Sequence, residues 1–132
     1  MFSLTFLRAN ARLIGFGFAL CFFSSAGQTY FISVFGGELR QAFSLSHGEF
    51  GTVYMAGTLG SAFTLIWLGR LVDHWSVART AWTTLVALAA VCIFNGVSWN
   101  AFAMAVAIYG LRRMGQGMAR QIGLTAMARY FV

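Results

Sequence analysis

The chain has 132 residues, of which 59% are hydrophobic and 17% aromatic while only 9% are charged. Soluble chains carry about 25% charged residues, so there is too little charge here to cover a water-facing surface, and a soluble domain is excluded. The net charge of +6 comes from arginines scattered between apolar runs, not from a basic stripe with stacking aromatics, and that pattern excludes a nucleic-acid interface.

The expected fold class is therefore an all-α integral membrane domain, and hydropathy divides it into four transmembrane helices. Residues 1–12 are a short tail bearing Arg8 and Arg12. No charge interrupts residues 13–35, enough to cross a hydrocarbon core of about 30 Å. A secretory signal would be cleaved after Ser24-Ser25-Ala26, but the apolar run continues through Tyr30, Phe31, Ile32, Val34 and Phe35, as in an uncleaved helix. Gly36-Gly37 is expected to end that helix, with a polar loop following up to Glu49. Ser46-x-x-Glu49 before Phe50 has the form of a capping box, and the second helix is expected over about 47–68, stopped by Gly69. A polar loop, 69–79, leads into a third helix over about 80–97. Ser98-Trp99-Asn100 makes a turn, and the fourth helix takes about 101–128. Cys21 and Cys92 fall inside apolar runs and read as small buried hydrophobes. Neither suggests a disulfide framework.

Arginine placement sets an orientation. Arg8, Arg12, Arg70, Arg79 and Arg129 gather on one side, while the other holds Arg40 with Glu38 and Glu49. By the positive-inside rule both termini are cytoplasmic, in a plasma membrane of bacterial inner-membrane type.

Helical spacing then aligns polar side chains. Cys21, Ser24, Ser25 and Gln28 share one face of the first helix, and Tyr54, Gly57, Thr58 and Ser61 share one face of the second. Such stripes either pack helices closely or wall a polar cavity. In the fourth helix, Arg112 and Arg113 stand about 17 Å from its outer end at ~1.5 Å per residue. At that depth an arginine facing lipid costs at least ~2.5 kcal/mol, and no acid lies within the four spans to pair with it. Arg113 is expected to share a face with Tyr109, Gln116, Gly117 and Arg120, while Gly115, Ala119 and Gly123 form a small-residue ladder for helix contact. An unpaired arginine pair of this kind points to binding an anion or coupling to proton movement.

The residues from Gly69 through Asp73 to Arg79 resemble the signature of the major facilitator superfamily in the loop between its second and third helices. Ser76 and Ala78 depart from that signature, standing where glycine and a basic residue are usual. Arg113-Met114-Gly115-Gln116-Gly117 is similar to the arginine, two residues, glutamine-glycine pattern of the family's fourth helix. The resemblance covers essentially the whole chain and implies the first four helices of a twelve-helix secondary transporter that works by alternating access. It implies a cytoplasmic gate at Asp73, with Arg129 as a partner, and substrate recognition or proton coupling at Arg113. The expected partners are the lipid bilayer, a small solute, preferably an organic anion, and a C-terminal bundle absent from this chain, which is not expected to transport alone.

Other classes fit the sequence less well. A complete four-helix exporter working as a dimer would need a carboxylate in the first helix, and there is none. A non-transporting membrane subunit or assembly factor leaves the mid-membrane arginines unexplained. No cofactor, metal site or enzymatic centre is expected, since His47 and His74 fall on opposite sides of the membrane.

Overall fold

An apolar chain that lacks water to bind its amides must satisfy them internally, and helices do this within one segment. The computed structural model describes residues 3–131, the side chains of 71–73 excepted, and among these residues every regular element is helical. In order they are α1 (Leu4–Ala9), α2 (Ala11–Phe23), a 3₁₀ turn (Ser24–Gly27), α3 (Thr29–Val34), α4 (Gly36–Ala42), α5 (His47–His74) and α6 (Val77–Gly96). The chain ends in a rod made of α7 (Ala101–Leu111), a π segment (Arg112–Ala119) and α8 (Arg120–Phe131). Two helices, His47–Arg70 and Val77–Gly96, are long and apolar enough to cross a membrane; a third candidate is the pair Ala11–Val34 with Gly36–Ala42, bent by 69°.

Local chemistry explains where these helices start. The amide of Ser46 donates to the Glu49 carboxylate at 2.8 Å and the amide of Glu49 donates to Ser46 Oγ at 3.2 Å, a reciprocal capping box. Asn100 Oδ1 accepts from the Ala103 amide at 2.7 Å to open α7, and Ser76 Oγ accepts from Arg79 N at 3.4 Å to open α6.

Four boundaries differ from the sequence reading. Gly69 does not stop the second helix: α5 runs on to His74, so the expected loop 69–79 shrinks to the turn at Trp75-Ser76. Glycine is tolerated there because its cost inside a helix is only about 1 kcal/mol, and Ser76 supplies the stronger signal, the cap of α6. The first helix is interrupted by the 3₁₀ turn, and the loop after Gly36 contains α4. The fourth helix continues to Phe131 and changes its winding midway. Cys21 and Cys92 are exposed and unpaired, because each lies on an outward face.

The final rod is the centre of the fold. Its Met104, Ala107, Ile108, Ala119, Ile122 and Ala126 are almost completely buried, and it packs against α2, α5 and α6. Outer faces stay apolar: Phe63, Ile66 and Trp67 on α5 and Trp82 and Ile93 on α6 are all exposed, as lipid-facing surfaces are.

The tightest approach joins the two irregular pieces of backbone. A Cβ on Gly115 would lie 2.7 Å from the nitrogen and 2.8 Å from the Cα of Gly27, and one on Gly27 would strike the carbonyl oxygen of Leu111. Further along, Gly123 meets the Leu20 Cβ and the Gly17 carbonyl, each at 3.5 Å from its added Cβ. The Gly115–Ala119–Gly123 ladder therefore lies against α2 and the 3₁₀ turn. Gly27→Ala should force the two backbones apart and lower stability by roughly 1–3 kcal/mol or more, measured as thermal unfolding in nanodiscs. Gly15→Ala, with nothing within 4 Å of its added Cβ, should leave the midpoint unchanged or raise it; equal losses at the two positions would refute the contact.

Candidate functional site

A π segment closes its turns with i→i+5 bonds and is frequent at functional sites. Here it carries both adjacent arginines and sends them to different neighbours. Arg112 Nη1 donates to Thr29 Oγ1 at 2.7 Å and to the Tyr54 hydroxyl at 2.9 Å, while that hydroxyl donates to Thr29 Oγ1 at 3.2 Å. The guanidinium also lies over the Tyr54 ring, 5.3 Å from its centroid. Helix α3, helix α5 and the π segment are thus tied through one cation.

Arg113 begins a separate chain. Its Nη1 donates to the Tyr109 hydroxyl at 2.7 Å, that hydroxyl donates to Thr64 Oγ1 at 3.0 Å, and Thr64 donates to the Gly60 carbonyl at 2.9 Å. The guanidinium sits 5.7 Å from the Tyr109 ring centroid, and its Nε is buried without a hydrogen-bond partner. Close packing holds Tyr109 in place, because Cβ atoms at Gly57 and Gly60 would both stand 3.2 Å from it, at its backbone nitrogen and its ring respectively.

All the acceptors of both arginines among the described residues are neutral hydroxyls. A hydroxyl satisfies an N–H without cancelling its charge, so the pair stays cationic. Beside the π segment opens a cleft of about 300 Å³, lined by Arg112, Gln116, Gly117 and Arg120 on one wall and by Thr58 and Ser61 on the other. Thr58 Oγ1 is buried there without a hydrogen-bond partner.

The structure therefore divides the residues expected on one face. Arg113 stays with Tyr109, whereas Gln116 and Gly117 join Arg112 and Arg120 at the cleft. The cause is the wider π turn: with more than four residues per turn, positions 112, 116 and 120 come back to one side. Gly117 also approaches α5, where an added Cβ would meet Leu65 Cδ1 at 2.8 Å. Gln28 is half-buried at the end of the 3₁₀ turn and caps α3, next in sequence to Thr29, which accepts from Arg112. Ser61 is buried on the cleft wall and Gly57 packs on Ile108.

Toward the C-terminal end of α5 lie the expected gate residues. Arg79 lies over the Trp75 ring at 5.6 Å, Gly69 faces Gln121, and Arg129 is exposed on α8. The Asp73 side chain lies outside the described residues.

Three contributors escaped the sequence reading. Thr64 continues the stripe of Gly57 and Ser61 at i+7 and i+3, a spacing that could have flagged it. Thr29 lies just beyond the 3₁₀ turn, and Gly27 gave no periodic signal at all.

The two networks differ in redundancy, and this has a measurable consequence. Tyr54→Phe leaves Arg112 with Thr29, but Tyr109→Phe removes the one acceptor of Arg113 among the described residues. Stranding a buried donor costs about 1–3 kcal/mol, and more when the donor is charged, so Tyr109→Phe should lower the unfolding midpoint in nanodiscs clearly more than Tyr54→Phe. The reverse order would contradict the assignment of partners.

No protein-family model matches the chain, and no curated protein or solved structure is significantly similar to it, so a functional reading rests on the arginine pair and its cleft.

Proposed function

We propose that the chain forms the first four membrane spans of a secondary transporter of the major facilitator type, with a small organic anion as its solute and proton movement as the coupled event. The observation that carries the reading is the cationic pair Arg112–Arg113, held at mid-helix by hydroxyls alone beside an open cleft. Ionisable groups inside a membrane are expensive and mark solute or ion pathways. A purely structural pair would be expected to bring a carboxylate, which the described partners do not include.

Broken helices supply the second line of support. Transporters commonly build their sites from discontinuous helices whose irregular backbone lies at the midplane. Here a 3₁₀ turn and a π segment meet each other, and the arginines arise from the second of them. In this reading Arg113 with Tyr109 recognises the solute or passes the coupling to helix α5, and Arg112, Gln116 and Gln28 line the path. The tight turn at Trp75-Ser76 places the Gly69-to-Arg79 motif where α5 and α6 join, suited to a gate that docks on further transporter helices. In this reading both termini lie in the cytoplasm.

Two measurements test this. The first uses the protein expressed in its native gene context, so that any further spans are present, reconstituted in proteoliposomes and assayed for uptake of radiolabelled mono- and dicarboxylates. Losing one charged hydrogen-bond donor is worth about 1.5–3 kcal/mol, so Arg113→Ala should reduce uptake at least about tenfold; wild-type rates in the variant would overturn the assignment.

The second measurement is topological. With Cys21 and Cys92 replaced by Ser, a cysteine at Ser98 should react with a membrane-impermeant maleimide on intact cells. One at Ser76 should react only after permeabilisation. Equal labelling at both positions would sink the four-span orientation.

A further inference from the structure

Within the cleft beside the π segment, one cation has no role in the networks described above. Arg120 is exposed, lines the cleft with Arg112 and Gln116, and has no hydrogen-bond or ring partner among the described residues. We propose that this cleft is a subsite for a small dianion, one acidic group meeting Arg112 and the other meeting Arg120, which makes Arg120 the residue that selects diacids over monoacids. The inference rests on the anion-transporter reading and extends it to the class of solute.

Free donors define what the cleft can hold. Arg112 uses only Nη1 toward Thr29 and Tyr54, so Nη2 and Nε remain open to an incoming acceptor. A carboxylate takes two such N–H groups side by side, which is the strong bidentate arrangement. Gln116 makes no hydrogen bond among the described residues and adds an amide donor between the two cations. On the facing wall, Thr58 Oγ1 is buried without a partner and Ser61 is buried beside it. A buried hydroxyl without a partner is costly, and an anion's oxygen in the cleft would satisfy it.

Charge balance then decides the number of acidic groups. Among the described residues no carboxylate lines the cleft, and both Arg112 and Arg120 do. In a medium of low dielectric an uncompensated charge is penalised far more than in water, so a monoanion neutralising Arg112 would leave Arg120 unmet. Arg112 and Arg120 stand eight positions apart, about 12 Å along an α-helix axis and less here, because Arg112–Ala119 is wound as a shorter-rising π segment. A short-chain diacid such as succinate bridges that separation once both long side chains lean into the shared cleft. At about 300 Å³ the space also falls at the lower end of ligand pockets, suiting a small metabolite and not a large one.

The test measures binding to the full chain in phosphatidylcholine nanodiscs, so that no lipid carries net charge, by titration calorimetry with succinate and with butyrate at constant ionic strength. Succinate should bind roughly tenfold to a hundredfold more tightly than butyrate. Arg120→Gln should bring the ratio close to one, and Arg120→Lys should recover most of it. Because Arg120 is exposed, its variants should fold, which their thermal unfolding verifies. If both acids bind equally and Arg120→Gln changes nothing while Arg112→Gln abolishes both, the dianion subsite is wrong and the anion reading stands. If neither acid binds the wild-type chain, both readings fall together.

Discussion

The close contact of Gly27 with Gly115 governs most of what is unusual in this fold. Side chains cannot enter where a Cβ on one residue would reach within 3 Å of the other's backbone. Two regular helices rarely come so near, and here neither backbone is regular at the crossing: one is wound tightly as 3₁₀ and the other loosely as π. The 3₁₀ turn is narrow and rises about 2.0 Å per residue against ~1.5 Å in an α-helix, while π winding is wider and rises less. The pair can therefore match in a way that two ideal helices at this position would not. Without that contact the π winding would have no evident support, and without the π winding Arg112 and Arg113 would take other directions.

Electrostatics gives the second constraint. Adjacent arginines repel, and inside a membrane each costs at least ~2.5 kcal/mol even on the mildest scales. The fold separates them into two hydrogen-bond networks, one through Thr29 and Tyr54 and one through Tyr109 and Thr64. Tyrosine is well suited to the task because its ring face attracts a cation while its hydroxyl accepts a hydrogen bond. Each arginine has such a ring within 6 Å. The networks lower the cost of burying charge, but they leave the charge in place.

How much of this was legible in the sequence follows from what each signal measures. Caps are local, so Ser46 with Glu49 could be read directly, and its reciprocal hydrogen bonds are present. Glycine as a stop signal is weaker: Gly69 fits inside α5 because a better boundary, the Ser76 cap, lies seven residues later. Periodicity assumes a winding. The ladder of Gly115, Ala119 and Gly123 was visible because a spacing of four survives the change from π to α, whereas the face assigned to Arg113 and Gln116 assumed 3.6 residues per turn and was divided. Nothing local announces a π segment, and the backbone that Gly115 packs against, at Gly27, lies 88 positions away in the chain (115 − 27). Cys21 and Cys92 show the same limit: an apolar run says that a residue is in the membrane but not which way it faces.

The choice of neutral partners links packing to chemistry. Had an aspartate stood where Thr29 or Thr64 stands, it would have formed an ion pair, which in a low-dielectric site is very costly to break. A pair so closed could not exchange its partner for a solute. Hydroxyls bind each guanidinium with a net worth of only about 1.5–3 kcal/mol per hydrogen bond, enough to orient the side chain and too little to neutralise it. The same Ser, Thr and Gly stripes that allow α5 and the final rod to approach closely therefore also leave a positive field at the cleft. In this fold the small polar residues need not be divided between packing and function. They pack without carrying charge, so the arginines keep theirs, which is what the proposed anion reading requires.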